Sequence, residues 1–108
     1  FPATGAVGPV LVTPDEVPLT RSLRLQCRLN GQVMQDATTD LMMFPVADQI
    51  AHISTFVTLE PGDVIVTGTP GGVGFRRDPK VYMKAGDVVE IDLEGVGILR
   101  NPVVKERL

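Results

Sequence analysis

The chain is poor in the side chains that most often do chemistry. It has one histidine, His52, and one cysteine, Cys27, in 108 residues. His52 has no Glu-x-x-His or His-x-x-x-His companion, so it is expected at the surface rather than on a metal. A single cysteine excludes an internal disulfide framework and fits a reducing compartment, so a cytoplasmic location is the expectation. No Ser-His-Asp or Cys-His arrangement can be assembled from what remains. No apolar run approaches the ~20 residues that a membrane span needs, so no membrane partner is expected. No basic run is longer than Arg76-Arg77 and the net charge is −3, which disfavours nucleic acid as a partner. The chain opens Phe1-Pro2-Ala3-Thr4-Gly5, without an initiator Met or a signal-like segment, and reads as one entered in the middle.

What is present is the composition of a globular domain, with 44% apolar and 21% charged residues. The length suits one modest domain with a core. Its organising stretch is residues 59–74. Pro61-Gly62-Asp63 reads as a tight turn. The β-branched run at residues 64–67 predicts a short, well-covered strand. Residues 68–74 then hold four glycines, one proline and a single hydroxyl, Thr69. So bare a loop lets backbone N–H groups approach a ligand closely; a surface crossover that needs positive φ has the same composition. No Gly-Lys-Ser/Thr follows, so it is not a Walker A loop. The glycine spacing and Pro70 exclude a dinucleotide fingerprint.

Residues 1–18 are punctuated by Gly5, Gly8, Pro9, Pro14 and Pro18 and are expected to be irregular, with one helical turn behind Thr13-Pro14. In residues 22–29, Leu23, Leu25, Cys27 and Leu29 alternate with Ser22, Arg24, Gln26 and Arg28, the pattern of a half-buried strand. This makes Cys27 a core thiol. Asn30-Gly31 is a strong hairpin signal, and residues 32–36 should return with Val33 and Gln35 on one face. Pro45 opens a helix whose stripe is Val46, Ile50, Ile53 and Val57. Ala85-Gly86-Asp87 repeats the Gly-Asp turn ahead of a strand at residues 88–93. Gly95-Val96-Gly97 turns into a last strand, where Pro102 indicates an edge or a bulge. Five or six short strands, one helix and many turns make a β-dominated α+β domain.

The carboxylates are dispersed. Asp36 and Asp40 bracket a polar bend, Ala37-Thr38-Thr39, that either faces a site or is simply a bend. Glu90 and Asp92 share a strand face; they could pair for acid–base work, but a solvated face explains them. The residues alone therefore show one shaped loop and no catalytic machinery.

Several motifs in order resemble one family: Asn30-Gly31, Gln35, Thr38-Thr39-Asp40, Phe44-Pro45, Ile53-Ser54, the whole run from Leu59 to Gly74, Ala85-Gly86-Asp87, and Gly95-Val96-Gly97-Ile98-Leu99-Arg100-Asn101. Over nearly its full length the chain is similar to the C-terminal part of the fumarylacetoacetate hydrolase family. The resemblance implies a rolled, mixed β-sandwich, commonly dimeric, with residues 1–108 as the C-terminal part of the catalytic domain. It implies an enzyme acting on 2-oxo acid or 1,3-dicarbonyl substrates, foremost by C–C bond hydrolysis of the acylpyruvase type. Decarboxylase, isomerase and hydratase steps of aromatic catabolism also occur in such families.

The resemblance further implies Mg2+ or Ca2+, which polarises the 2-oxo acid while charge develops on an enolate. The family's Glu-x-Glu pair, Asp and active-site lysine lie upstream of the matching region. No metal ligand is therefore assigned here, catalytic residues are unassigned, and a companion N-terminal segment is the expected partner beside the small-molecule substrate. One position carries over. Thr69, in Gly68-Thr69-Pro70, matches the family threonine that contacts the substrate carboxylate. Gly68 and Gly71 are expected to allow close approach, with Gln35, Thr38 and Thr39 as further pocket residues. The competing expectation is a stand-alone, non-catalytic β-rich binding domain or a degenerate remnant.

Overall fold

A computed structural model describes residues 3–18 and 20–106. Phe1 and Pro2 of the opening segment, Leu19, and Arg107 and Leu108 of the charged tail lie outside the described residues. Strands β1 (Arg24–Leu29), β2 (Gln32–Thr38), β3 (Val88–Leu93) and β4 (Gly97–Pro102) form one antiparallel sheet in the order β2-β1-β3-β4. A helix, α1 (Val46–Ile53), lies in the long excursion between β2 and β3. The chain is thus β-dominated α+β, as the alternation and turn signals indicate.

Asn30-Gly31 makes the β1–β2 hairpin. Both residues have positive φ, 51° and 80°, the geometry whose twist matches that of the flanking strands. Pro102 ends β4 at the sheet edge, where its missing N–H costs no ladder bond. Residues 14–16 form the expected single turn, closed by Glu16 and Val17 N–H on the Thr13 carbonyl at 3.0 and 3.1 Å.

Strand register sorts the sheet into two chemically distinct faces. Leu25, Cys27 and Leu29 pair with Leu93, Ile91 and Val89, and Ile91 pairs with Leu99. On the other face Arg28 reaches Asp92 at 3.0 Å and Glu90 at 3.5 Å, and Arg100 reaches Glu90 at 3.3 Å. Glu90 and Asp92 are therefore occupied by guanidinium groups rather than poised for acid–base work. The apolar face is only half covered. Among the described residues Leu23, 8% exposed, is the one buried hydrophobic side chain.

Three expectations are corrected. Val33 and Gln35 do not share a face. Cys27 pairs with Gln35 but Arg28 with Val33, so Met34 is an extra residue in a β-bulge. Residues 64–67 are extended but form no strand, and Val64 and Val66 are 72% and 88% exposed. β-Branched side chains favour extended backbone, but a strand also needs a neighbouring ladder, and no described segment supplies one. The sheet therefore has four strands, not five or six. The helix covers Val46, Ile50 and Ile53 of its predicted stripe but ends before Val57; Pro45 is its N-cap, and no residue of α1 is buried.

The two Gly-Asp turns share one construction. Asp63 N–H bonds the Glu60 carbonyl at 3.0 Å while its carboxylate accepts from Glu60 N–H at 2.8 Å. Asp87 repeats both bonds with Lys84, at 3.0 and 2.9 Å. Asp87 is 3% exposed and also accepts from Asn30 Nδ2 at 3.0 Å, which ties this turn to the β1–β2 hairpin.

Candidate functional site

The bulge at Met34 positions the glycine-rich loop. It turns the Met34 carbonyl towards Arg77, whose guanidinium donates both to it and to the Gly72 carbonyl, the latter at 3.0 Å. Gly72, at φ 103°, lies so close that a Cβ there would sit 2.2 Å from the Met34 oxygen. Gly74 is equally tight against the Val81 carbonyl, at 2.1 Å. One residue along β2 from the bulge, Gln35 extends its amide to the loop. Its Nε2 donates to Thr69 Oγ1 at 2.9 Å and to the Pro70 carbonyl at 2.7 Å. The loop is thus held to the sheet by one glutamine, one arginine and Gly72, which admits no side chain; Gly74 fixes it to the segment at Val81 in the same way.

In front of this loop is an open cavity of about 560 Å³. Gly68, Thr69 and Gly71 line one side of it, and Thr38 and Thr39 another. Leu25, Leu41, Met43 and Phe44 supply apolar walls. Gln49 of α1 also borders it, its amide held by the Phe44 carbonyl at 2.7 Å. Among the described residues the N–H groups of Gly68, Thr69 and Gly71 have no backbone acceptor. A hydroxyl and unpaired N–H groups on a fixed loop are suited to an anion.

The sequence-selected residues separate into distinct roles. Thr69, Gly68, Gly71, Thr38 and Thr39 come together around this cavity. Gln35 does not line it. It lies behind Thr69, on a second depression of about 390 Å³ shared with Cys27, Met34, Phe75 and Tyr82. Thr39 Oγ1 is engaged by Leu23 N–H at 3.0 Å. The glycines also differ. A Cβ on Gly68 or Gly71 would meet nothing within 4 Å; Gly68 has φ 106°, whereas Gly71 is bare and faces open space. The loop's close contact with the sheet is made by Gly72, and Gly74 lies against the Val81 carbonyl of the segment that follows the loop.

The carboxylates of the polar bend are structural. Asp36 is bonded by Arg24 Nε at 2.8 Å and Gln26 Nε2 at 3.0 Å, and these partners hold its carboxyl at about 2. Ser22 and Thr38 hydroxyls likewise hold Asp40 below the usual range. Burial pushes the Cys27 thiol up, although the residue is half-buried and borders the second depression rather than being the enclosed core thiol expected. His52 is exposed and edge-on to Phe56, with ring centroids 5.5 Å apart.

The residues present do not fit a resident divalent cation. Among the described residues no three of His, Cys, Asp and Glu converge, and no carboxylate lines the cavity. Oxygen-rich coordination of Mg2+ or Ca2+ has no donor set here. Arg77 and Gly72 were not selected from the sequence. Arg76-Arg77 carries no sign of which arginine folds inwards, because its acceptor is a carbonyl freed by a bulge.

The family description "Fumarylacetoacetate (FAA) hydrolase C-terminal" matches residues 1–104. The chain belongs to the fumarylacetoacetate hydrolase family. A mitochondrial oxaloacetate tautomerase of Homo sapiens is 49% identical over 98 residues, which are 91% of this chain and 31% of the relative. A fumarylacetoacetate hydrolase from psychrophilic Exiguobacterium antarcticum superposes with a TM-score of 0.86 at 41% identity, over 92% of this chain and 35% of that one. A fumarylpyruvate hydrolase from Pseudomonas aeruginosa, in complex with Mn2+ and pyruvate, gives a TM-score of 0.76 at 29% identity, over 86% and 37%. This fumarylacetoacetate hydrolase family chain thus spans about a third of the length of the relatives it matches. They include a tautomerase and hydrolases, so the fold is shared across several reactions.

Proposed function

We propose that this chain is the C-terminal, carboxylate-anchoring part of an enzyme acting on 2-oxo acid or 1,3-dicarbonyl compounds, with C–C bond hydrolysis foremost. The observation that carries this reading is Thr69. Its hydroxyl is held by Gln35 at the edge of a cavity also lined by Gly68 and Gly71, whose N–H groups have no backbone acceptor among the described residues. In this role Thr69 O–H and these N–H groups donate to one carboxylate of the substrate and fix its orientation. Thr38 lies across the same space. The apolar walls give the rest of the substrate a surface to pack against. The solved Pseudomonas aeruginosa relative holds pyruvate, a 2-oxo acid, together with Mn2+.

The rest of the site belongs, on this reading, to a companion N-terminal segment that supplies the ligands of a divalent cation, Mg2+ or Ca2+. Two observations support such a segment. The matched relatives are about three times as long. The chain also exposes 8829 Å², whereas a free-standing protein of this mass exposes about 5,800 Å². The uncovered apolar side of the sheet and the exposed Val64 and Val66 are where it would pack; homodimerisation would cover more. The same excess surface disfavours a stand-alone binding domain. One free cysteine suits a reducing compartment, the cytoplasm being the simplest.

The test uses the complete protein and oxalate, a compact mimic of a 2-oxo acid. Thr69→Ala removes one hydrogen bond to a charged group, about 1.5–3 kcal/mol, so oxalate affinity should fall about 10- to 100-fold in titration calorimetry. Thr69→Ser should retain most of it. Unchanged affinity in Thr69→Ala would refute the anchoring role.

A further inference from the structure

We propose that Gln35 is a positioning residue that sets the direction in which the Thr69 hydroxyl donates, and hence the polarity of the anion site, without touching the anion. This rests on the reading of Thr69 as the carboxylate anchor. The reasoning begins at Pro70. Its carbonyl can only accept a hydrogen bond, so the side-chain atom of Gln35 at 2.7 Å must be the amide nitrogen, not the oxygen. An amide nitrogen has two hydrogens. With one on Pro70, the other is directed at Thr69 Oγ1, 2.9 Å away. A hydroxyl has one hydrogen to give. Having accepted from Gln35, Thr69 keeps that hydrogen for another acceptor, and the cavity opens beside it.

The arrangement is rigid because Gln35 stands on the ladder rather than on a loop. It pairs with Cys27 of β1. Its neighbour Met34 is bonded by Arg77, and Gly72 rests so close that a Cβ there would lie 2.2 Å from the Met34 oxygen and 3.3 Å from Gln35 Cγ. Among the described residues, Cys27, Arg77 and, across the second depression, Tyr82 are the titratable and charged groups around it. A glutamate in this place would invert the logic. Its carboxylate would repel the Pro70 carbonyl and take the Thr69 hydrogen for itself, leaving the hydroxyl oxygen to face an anion.

Oxalate binding to the complete protein, measured calorimetrically with Mg2+ present, tests this with Gln35→Glu, Gln35→Met, Thr69→Ala and the Gln35→Met/Thr69→Ala double variant. Gln35→Glu should bind at least 10-fold more weakly than wild type at pH 8. Its ratio to wild type should recover as the pH falls towards 5, because a protonated carboxyl regains a donor. Gln35→Met should bind several-fold more weakly, with no pH trend of its own. In the double variant the methionine should add nothing to Thr69→Ala, since Gln35 acts only through Thr69. If Gln35→Glu fails to fold, the methionine cycle decides alone.

Additive losses, wild-type affinity in Gln35→Met, or a pH-independent loss in a folded Gln35→Glu would each overturn the proposal. If Thr69→Ala leaves binding unchanged, the anchor reading fails, and this inference with it. If Thr69→Ala weakens binding while the Gln35 variants do not, only the positioning role fails.

Discussion

Replacing Gly72 by alanine puts a methyl group where a carbonyl oxygen already is. The new Cβ would lie 2.2 Å from Met34 O and 3.3 Å from both Met34 C and Gln35 Cγ. None of these can give way, because Met34 is held in the bulge of β2 by Arg77. The loop must therefore lift from the sheet by about 1 Å to restore ordinary van der Waals contact. That displacement stretches the Gln35 bonds to Thr69 and Pro70, now 2.9 and 2.7 Å, and the Arg77 bond to Gly72, now 3.0 Å. Overpacking typically costs about 1–3 kcal/mol, and φ 103° adds about 1 kcal/mol for any residue with a Cβ. The sum is about 2–4 kcal/mol. Gly71 is the internal control. It has neither a positive φ nor a neighbour within 4 Å of its Cβ position, so Gly71→Ala should stay within about 0.5 kcal/mol. Urea denaturation of the two variants of the complete protein, with midpoints and slopes compared, reads the difference. Equal losses, or a wild-type midpoint for Gly72→Ala, would refute the claim that this glycine is where the loop meets the sheet.

Three further outcomes follow from the same geometry. Asn30 and the Lys84 N–H and ammonium hold the Asp87 carboxyl at about 2, below its ordinary 3.8. Its contribution is therefore complete above about pH 4 and lost as the pH falls through 2; the urea midpoint should drop over that window, and Asp87→Asn should flatten part of the drop, whereas parallel curves would contradict the assignment. Gly31→Ala forces a Cβ into φ 80° and should lower stability by about 1 kcal/mol; thermal melting that leaves it unchanged would argue against the hairpin geometry. The Cys27 thiol, half-buried and pushed up by burial, should react with iodoacetamide at pH 7.5 at least 10-fold more slowly in native than in urea-unfolded protein, and equal rates would place it outside the sheet interior.

Much of the fold was legible because its signals are local. Alternation in β1 and β3, the Asn30-Gly31 turn, the period of α1 and the repeated Gly-Asp turns each follow from backbone preference and side-chain period within a few residues. The sequence alone also selected Thr69, Gly68, Gly71, Thr38 and Thr39, which the structure gathers round one cavity. Residues 64–67 failed for the complementary reason. A β-branched run states a preference for extended backbone, but only a neighbouring ladder makes it a strand.

By itself, then, the sequence determined the class of fold, its turns and the bare loop bearing one hydroxyl. Only the tertiary structure decided that Met34 bulges, that Arg77 rather than Arg76 turns inwards to its carbonyl, and that Gln35 stands behind Thr69 instead of beside it. It also decided that Gly72 and Gly74, not Gly71, are the glycines that cannot change. The physical reason is distance along the chain. A turn or a period is encoded within a few residues, whereas these contacts join partners 34 to 43 positions apart, and no local preference records which backbone carbonyl a distant guanidinium or amide will meet.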